Sequence, residues 1–456
     1  MDDQLTPIEG WARFRPPYFR IAAVTILAVA ILGLGFFGPH PAGPPADTAA
    51  PTLPALLAAA SPTAAPSGHG PATAPSAGGT GVPSGEVPAA IEDTAALTLV
   101  DPIAGGITGA WLAGPISSRS IAVVGQTLYY IVGGVRIQST SVDAGGPGRN
   151  LVTASRCQGI NQLAAAGHEL AYVVTSPGGP SSTVANCGAA GRVSWSVWLL
   201  DLNGGRPRRV AQGVRDASIP DVATYPVHLA MSATAYAFNR PPFAAEAGSS
   251  DTVEVHAIDG RLLWKSRTQR PVADLMLGGG TLAILTEWLS NRDIFGRDAV
   301  TDLWTASAAH PNPAPIDVPA ASASLSPDGL HLTWEKISAP AIPGAGPPGD
   351  VAIQTVRTGV KQPITMPTSI TAPAPLRPAI STTGAGVIVA WLATEPNGAV
   401  RPAVRNAAGG KGVVLPSALD PVWLGISGGR LFWVGESANG WLTAAYSIEL
   451  GTLGLG

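Results

Sequence analysis

Seven times along the last three quarters of the chain, a small residue at a turn is followed two or three positions later by an apolar, strand-like pair or triplet. The copies begin at Gly125, Gly167, Ser232, Gly279, Gly329, Gly386 and Gly428, and read, for example, Gly-Gln-Thr-Leu-Tyr-Tyr, Gly-His-Glu-Leu-Ala-Tyr and Gly-Gly-Arg-Leu-Phe-Trp. Taking the fourth position of each as a ruler mark (Leu128, Leu170, Ala235, Leu282, Leu332, Val389, Leu431) gives intervals of 42, 65, 47, 50, 57 and 42 residues. Short strands recurring at that spacing are the signature of β-propeller blades, in which each four-stranded unit cannot bury its own faces and must stack on its neighbours. The expectation is an all-β, seven-bladed ring, with six or eight blades as the alternative.

Blade 2 is the most legible. Asn161–Ala166 reads as its inner strand, Leu170–Val174 as its second, Val193–Leu202 as its third and Arg206–Ala211 as its outer strand, with Asp201-Leu-Asn-Gly-Gly supplying the hairpin turn before the last. Comparable units start near residues 119, 226, 272, 322, 377 and 421, with the outer strand weakly marked in several. The last unit lacks an outer strand, and Ala96–Asp101 is expected to fill that place and close the ring, leaving only short, protected edges.

Ahead of the propeller, at 96–456, the chain is organised for delivery. Residues 1–20 form a short tail carrying Arg13, Arg15 and Arg20; residues 21–38 are an uncharged apolar run whose 18 residues span roughly 27 Å as a helix. Positive charge before the run, and no charge of either sign after it until the acidic Asp47, predicts a single-pass signal anchor with its C-terminal body outside the cytoplasm. A cleaved signal peptide is the rival reading. Prolines crowd the stretch after Gly38 where cleavage would fall, and no cysteine stands nearby to take a lipid. Residues 39–95 read as a disordered Pro/Ala/Gly-rich linker: positions 39–90 hold 12 prolines and two charged residues, Asp47 and Glu86, too little apolar bulk to offset the entropy of ordering.

Within the fifth unit, Ser324-Leu-Ser-Pro-Asp-Gly-Leu-His-Leu-Thr-Trp is similar to the Ser-Pro-Asp-Gly turn of TolB-like, WD40-related bacterial propellers. That resemblance covers roughly residues 118 to 450 and implies that Asp328 and Gly329 shape the turn between the first two strands while Ser326 or Pro327 fixes its entry. A role in the Tol system is not implied, because TolB-like proteins carry an extra domain where this chain has its linker. Sialidase Asp boxes place Ser, Asp, Gly and an aromatic on such a turn too. They separate Asp and Gly by one residue, whereas Asp328 and Gly329 are adjacent.

Composition bounds the chemistry. Only 12% of residues are charged and the formal net charge is −3, so no broad basic field exists to hold nucleic acid. The seven histidines are scattered, and neither a Gly-x-Ser-x-Gly elbow nor a His-Glu-x-x-His pair is present. The sequence carries no signature of a catalytic residue, metal site or cofactor. Cys157 and Cys187, both in blade 2, read as a disulfide in an exported domain, with two free thiols as the alternative.

Long insertions between second and third strands, at about 175–192, 239–251, 287–301 and 336–350, would crowd one sector of one face. Trp288, Asn291, Arg292, Asp293, Phe295 and Arg297 in one of them, with Arg240 and Phe243 in its neighbour, are the candidate binding residues, since aromatic and guanidinium groups carry most interface energy. A non-catalytic protein- or ligand-binding scaffold is the leading function. An extracytoplasmic hydrolase or lyase acting on glycan or peptide, which would need carboxylates converging at the channel, is the alternative, and a signalling receptor is disfavoured by its 20-residue tail. A reporter enzyme fused after Gly456 should be active only outside the cytoplasm; cytoplasmic activity would refute the N-in orientation.

Overall fold

A computed structural model of the chain describes residues 107–112, 121–142, 148–176, 192–216, 227–241, 250–287, 301–337, 351–359, 365–366, 371–372, 377–395, 398–409, 412–417, 419–437 and 443–456. They form a seven-bladed β-propeller. Blades 1 to 3 are separate four-stranded antiparallel sheets: Ile121–Val124, Thr127–Val132, Arg136–Ser141 and Arg149–Thr153; then Gly159–Ala166, Glu169–Ser176, Arg192–Asp201 and Arg208–Asp216; then Leu229–Met231, Ala235–Arg240, Thr252–Ala257 and Leu262–Arg267. Blades 4 and 5 share a strand. Ala314–Leu325 is the outer strand of blade 4 (after Val272–Gly278, Thr281–Glu287 and Thr301–Ser307) and runs on as the inner strand of blade 5, followed by His331–Ile337 and Val351–Arg357. Blade 6 comprises Ala379–Thr383, Gly386–Thr394, Val400–Asn406 and the two-residue Val413–Val414, and blade 7 comprises Asp420–Ser427, Arg430–Glu436 and Thr443–Glu449.

The ring closes on itself, but through a different segment from the one expected. The outer place of blade 7 is taken by Thr108–Leu112, antiparallel to Thr443–Glu449 in the register Thr108↔Ser447 to Leu112↔Thr443. Ala96–Asp101, expected there, lies outside the described residues. The signal-anchor run 21–38 and the linker do too. Among the described residues no helix is long and apolar enough to cross a membrane.

Why the sequence signal is a run of apolar residues rather than a clean alternation follows from where the second strands sit. In blade 4, Leu282 and Ile284 pack against blade 3, while Ala283 and Leu285 pack against blade 5. In blade 6, Ile388, Ala390 and Leu392 face blade 7, and Val389, Trp391 and Ala393 face blade 5. Side chains still alternate along each strand, yet both faces are buried, so every position is apolar. All seven ruler residues are core: six are 0% exposed and Ala235 is 7% exposed. Seven apolar clusters result, each shared by neighbouring blades, including the one in which Leu112, Phe432 and Val434 of blade 7 meet Ile121, Leu128 and Tyr130 of blade 1.

The small turn residues have a steric cause. The turns between inner and second strands gather on one face, and neighbouring turns touch. A Cβ on Gly279 of blade 4 would overlap the Asp328 carbonyl of blade 5, and one on Gly329 would overlap the Gly278 carbonyl. Gly279 has φ +52° and Gly329 φ +73°, left-handed conformations that favour glycine independently. Gly125 in blade 1 has nearly the same φ, +58°, with open space around it. Gly125→Ala should therefore cost about 1 kcal/mol from backbone strain alone, and Gly279→Ala or Gly329→Ala about 3 kcal/mol or more, as read by chemical denaturation. Equal losses at the three positions would show that the turns do not interlock.

Candidate functional site

The end of each second strand and the start of each third lie on the face opposite those turns, because the strands alternate in direction through every blade. The connectors there are unequal. Blades 2 to 5 carry residues 177–191, 241–251, 288–300 and 338–350, whereas blades 6, 7 and 1 carry only 395–399, 437–442 and 133–135. Four long connectors thus leave four successive blades in one sector. Of the candidate binding residues, Trp288, Asn291, Arg292, Asp293, Phe295, Arg297 and Phe243 fall outside the described residues; Arg240 is described.

Arg240 ends the second strand of blade 3 and acts as a clamp. Its Nε and Nη2 donate to the two carboxylate oxygens of Glu254 at 3.3 and 3.2 Å, Nη1 donates to the Gln212 carbonyl of blade 2 at 3.2 Å, and its guanidinium lies 5.5 Å over the Trp195 ring, also of blade 2. Glu254 is the hub. Across the sheet it accepts from Lys265 Nζ at 2.9 Å and contacts His256 Nε2 at 3.1 Å, and its side chain is only 7% exposed. Burial opposes ionisation of this carboxyl, but hydrogen bonds from Arg240, Lys265 and His256 and the Arg240 charge outweigh it, holding the pKa down at about 2. His256 in turn stacks on Tyr236 and Phe238, 5.3 and 5.5 Å between centroids. Sequence reasoning singled out Arg240 and missed Glu254, which is distant in sequence and reachable only through strand register, Phe238 opposite Glu254 and Glu254 opposite Lys265.

Two other acidic groups described on the connector face are struts as well. Asp251 is buried, and its Oδ2 accepts from Asn239 Nδ2 and from the Val272 N–H that opens blade 4, both at 2.9 Å. Asp302 of blade 4 pairs with Arg270 of the preceding connection at 3.0 Å. Among the described residues the inner strands carry two exposed carboxylates, Asp274 in blade 4 and Asp420 in blade 7. Among the described residues no group of three or more His, Cys, Asp and Glu is placed to hold a metal ion.

The Ser-Pro-Asp-Gly turn is a structural joint. Asp328 Oδ1 accepts from Ser326 Oγ and from Leu330 N–H, Ser326 Oγ accepts from His331 N–H at 2.9 Å, and Asp328 Oδ2 accepts from Thr382 Oγ1 of blade 6 at 2.8 Å. Desolvation would raise the Asp328 pKa; these donors and the nearby His331 outweigh it and set it below the usual carboxylate value. For His331 desolvation dominates and lowers the pKa, with Asp328 opposing and Arg357 reinforcing. This turn therefore joins three blades, through Gly278–Gly279 on one side and Thr382 on the other. Cys157 occupies the connection from blade 1 to blade 2 with φ +68°; Cys187 lies outside the described residues.

No protein-family model matches the chain, and no curated protein matches it. Solved structures do resemble it in fold. The β-propeller domain of the Trilobed protease from Pyrococcus furiosus superposes with a TM-score of 0.45 at 8% identity, over 75% of this chain and 95% of that one. The Neurospora crassa Pan2 WD40 domain gives 0.45 at 8%, over 74% and 90%. Pyrococcus horikoshii acylaminoacyl peptidase gives 0.44 at 9%, over 73% of this chain and 50% of that one, so the chain spans about half the length of that peptidase. The likeness is one of fold, which the sheet order shows by itself.

The Glu254 hub yields a pH test. Its folded pKa is depressed from 4.5 to about 2, so its contribution is present in full above the unfolded value and fades as pH falls from about 4.5 to about 2. After discounting for the solvent exposure of its partners, Glu254→Gln should destabilise by about 1–2 kcal/mol at pH 7 and by nearly nothing at about pH 2. A deficit independent of pH would mean that the carboxylate charge is not what the clamp uses.

Proposed function

We propose that this chain is a membrane-tethered, extracytoplasmic propeller of the TolB-like, WD40-related kind that binds a protein or cell-surface ligand without chemistry of its own. The observation that carries the reading is the clustering of the four long connectors on one face of blades 2 to 5, against short ones in blades 6, 7 and 1. Loops on a rigid scaffold are where binding residues concentrate. Connector 288–300 contributes Trp288, Asn291, Arg292, Asp293, Phe295 and Arg297, connector 241–251 contributes Phe243, and Arg240 roots the latter to blade 2.

The carboxylates described on that face support a binding rather than a catalytic role, since Asp251, Asp302 and Glu254 each hold neighbouring strands together. A Cys157–Cys187 disulfide belongs to the same reading. Cys157 lies between blades 1 and 2 and Cys187 in connector 177–191, and both connections leave the same face. Such a bond would stabilise by roughly 3–4 kcal/mol on the chain-entropy model and pin the first of the long connectors. The apolar run 21–38 and the Pro-rich stretch behind it supply anchor and tether.

Replacing Trp288, Arg292 and Phe295 by alanine tests the sector. The variant should melt as the parent does, since loop substitutions away from the core shift stability by less than about 0.5 kcal/mol, and should lose the parent's specific crosslinked partners in intact cells. An unchanged crosslinking pattern with unchanged melting would move the site elsewhere.

A further inference from the structure

The outer strand of blade 2 is tied to blade 3 twice. Arg208 donates to the Ile258 carbonyl in the hairpin that opens blade 3's outer strand, and Arg240, at the end of blade 3's second strand, donates to the Gln212 carbonyl in the middle of blade 2's outer strand. This shared rim has an unusual surface for a chain of net charge −3. Arg206, Arg208, Arg209, Arg261 and Arg267 are all exposed along it, and none lies within 4.0 Å of a carboxylate oxygen among the described residues. Of the rim's own acids, Asp201 caps its hairpin through Asn203 N–H, Asp259 caps its own through Arg261 N–H, Glu254 pairs with Arg240 and Lys265, and Asp216 ends blade 2's outer strand, so cations still outnumber carboxylates along it. The same two strands also carry three of the four large hydrophobic side chains most exposed among the described residues, Val214 at 46%, Leu262 at 43% and Leu263 at 41%.

We propose that this rim rests on an anionic lipid surface, with guanidinium groups on the phosphates and the aliphatic side chains at the headgroup boundary. Two features favour lipid over an acidic protein. The rim is built from outer strands, at the edge of the ring. Its aliphatic residues are interspersed with cations, where a protein interface would gather them into one buried centre with a polar rim. Cations interleaved with isolated aliphatics match interfacial membrane binding instead, which sums electrostatic attraction to acidic headgroups with shallow apolar insertion. The inference rests on the tether reading above, since an anchored chain meets its own bilayer at high effective concentration.

The test uses the full chain in bilayer discs of phosphatidylcholine alone or with phosphatidylglycerol, reading hydrogen exchange at residues 208–216 and 261–267. Exchange in both strands should be severalfold slower on the anionic discs, with the other blades unchanged. The difference should vanish at about 0.5 M salt, where the Debye length is roughly 4 Å, and in Arg206→Glu/Arg261→Glu. Should that variant misfold, the salt series on the parent decides alone. Equal exchange on the two bilayers overturns the proposal, and so does protection that persists at high salt or arises only when an acidic protein is added. Co-elution of chain and discs reports the anchor separately. A chain that fails to co-elute sinks the tether reading, and the same exchange measured with phosphatidylglycerol vesicles then decides the docking surface on its own.

Discussion

Everything in this structure depends on blades burying one another's faces. A four-stranded sheet with both faces apolar has no stable solution alone, and a row of such sheets always leaves two faces in water unless the row returns to its start. The contact between blades 7 and 1 removes that last pair of exposed faces. Ring closure is thus what makes strands such as Gly386–Thr394, with Trp391 and Val389 at 0% exposure on one side and Ile388 and Ala390 at 0% on the other, sustainable. At about 25 cal/mol per Å² of apolar surface, each added interface is worth several kcal/mol before entropy is counted. An open ring would forfeit one outright.

Polar groups then fix what apolar burial alone leaves loose. Sheets packed face to face can slide, and the contacts that set their offset are the directional ones: Arg240 from blade 3 to Gln212, Asp251 to the first N–H of blade 4, Asp328 to Thr382. Each joins consecutive blades and each involves a charged group whose desolvation is offset by several hydrogen bonds. Among the described residues, Asp251 and Asp328 hold neighbouring blades together directly, and Glu254 does so through Arg240.

What could be read from the sequence tracks how tightly each position is constrained. Second strands are buried on both faces and the turns before them are crowded by neighbouring turns, so the pattern of small residue then apolar triplet recurs in all seven blades, and the blade number follows from it. Outer strands pair on one edge only and face water. In blade 6 the outer strand is just Val413–Val414, and in blade 5 it is broken into Thr365–Met366 and Thr371–Ala372. The closing strand belongs to this weakly marked class. Thr108–Leu112, with a glycine in its second position, carries less strand signal than Ala96-Leu-Thr-Leu-Val. At the candidate sector, unequal connector lengths were legible because they are read by subtraction between repeats. The Glu254 hub was not, because its partners are brought together by register across three strands.

Closure through Thr108–Leu112 also fixes a path for mechanical load. The first described strand hydrogen-bonds the last one, so the two ends of the propeller meet in one blade, tied by five antiparallel residue pairs and the Thr108 Oγ1–Ser447 Oγ contact at 2.8 Å. Any pull arriving along the chain before residue 107 is borne first by that ladder and by the Leu112 side chain set among Phe432, Val434 and Ile121, not by blade 1. Tension at the N-terminal side is therefore a tension on the ring's single seam, and the strand that shuts the disc is the one that a stretched leader would peel first.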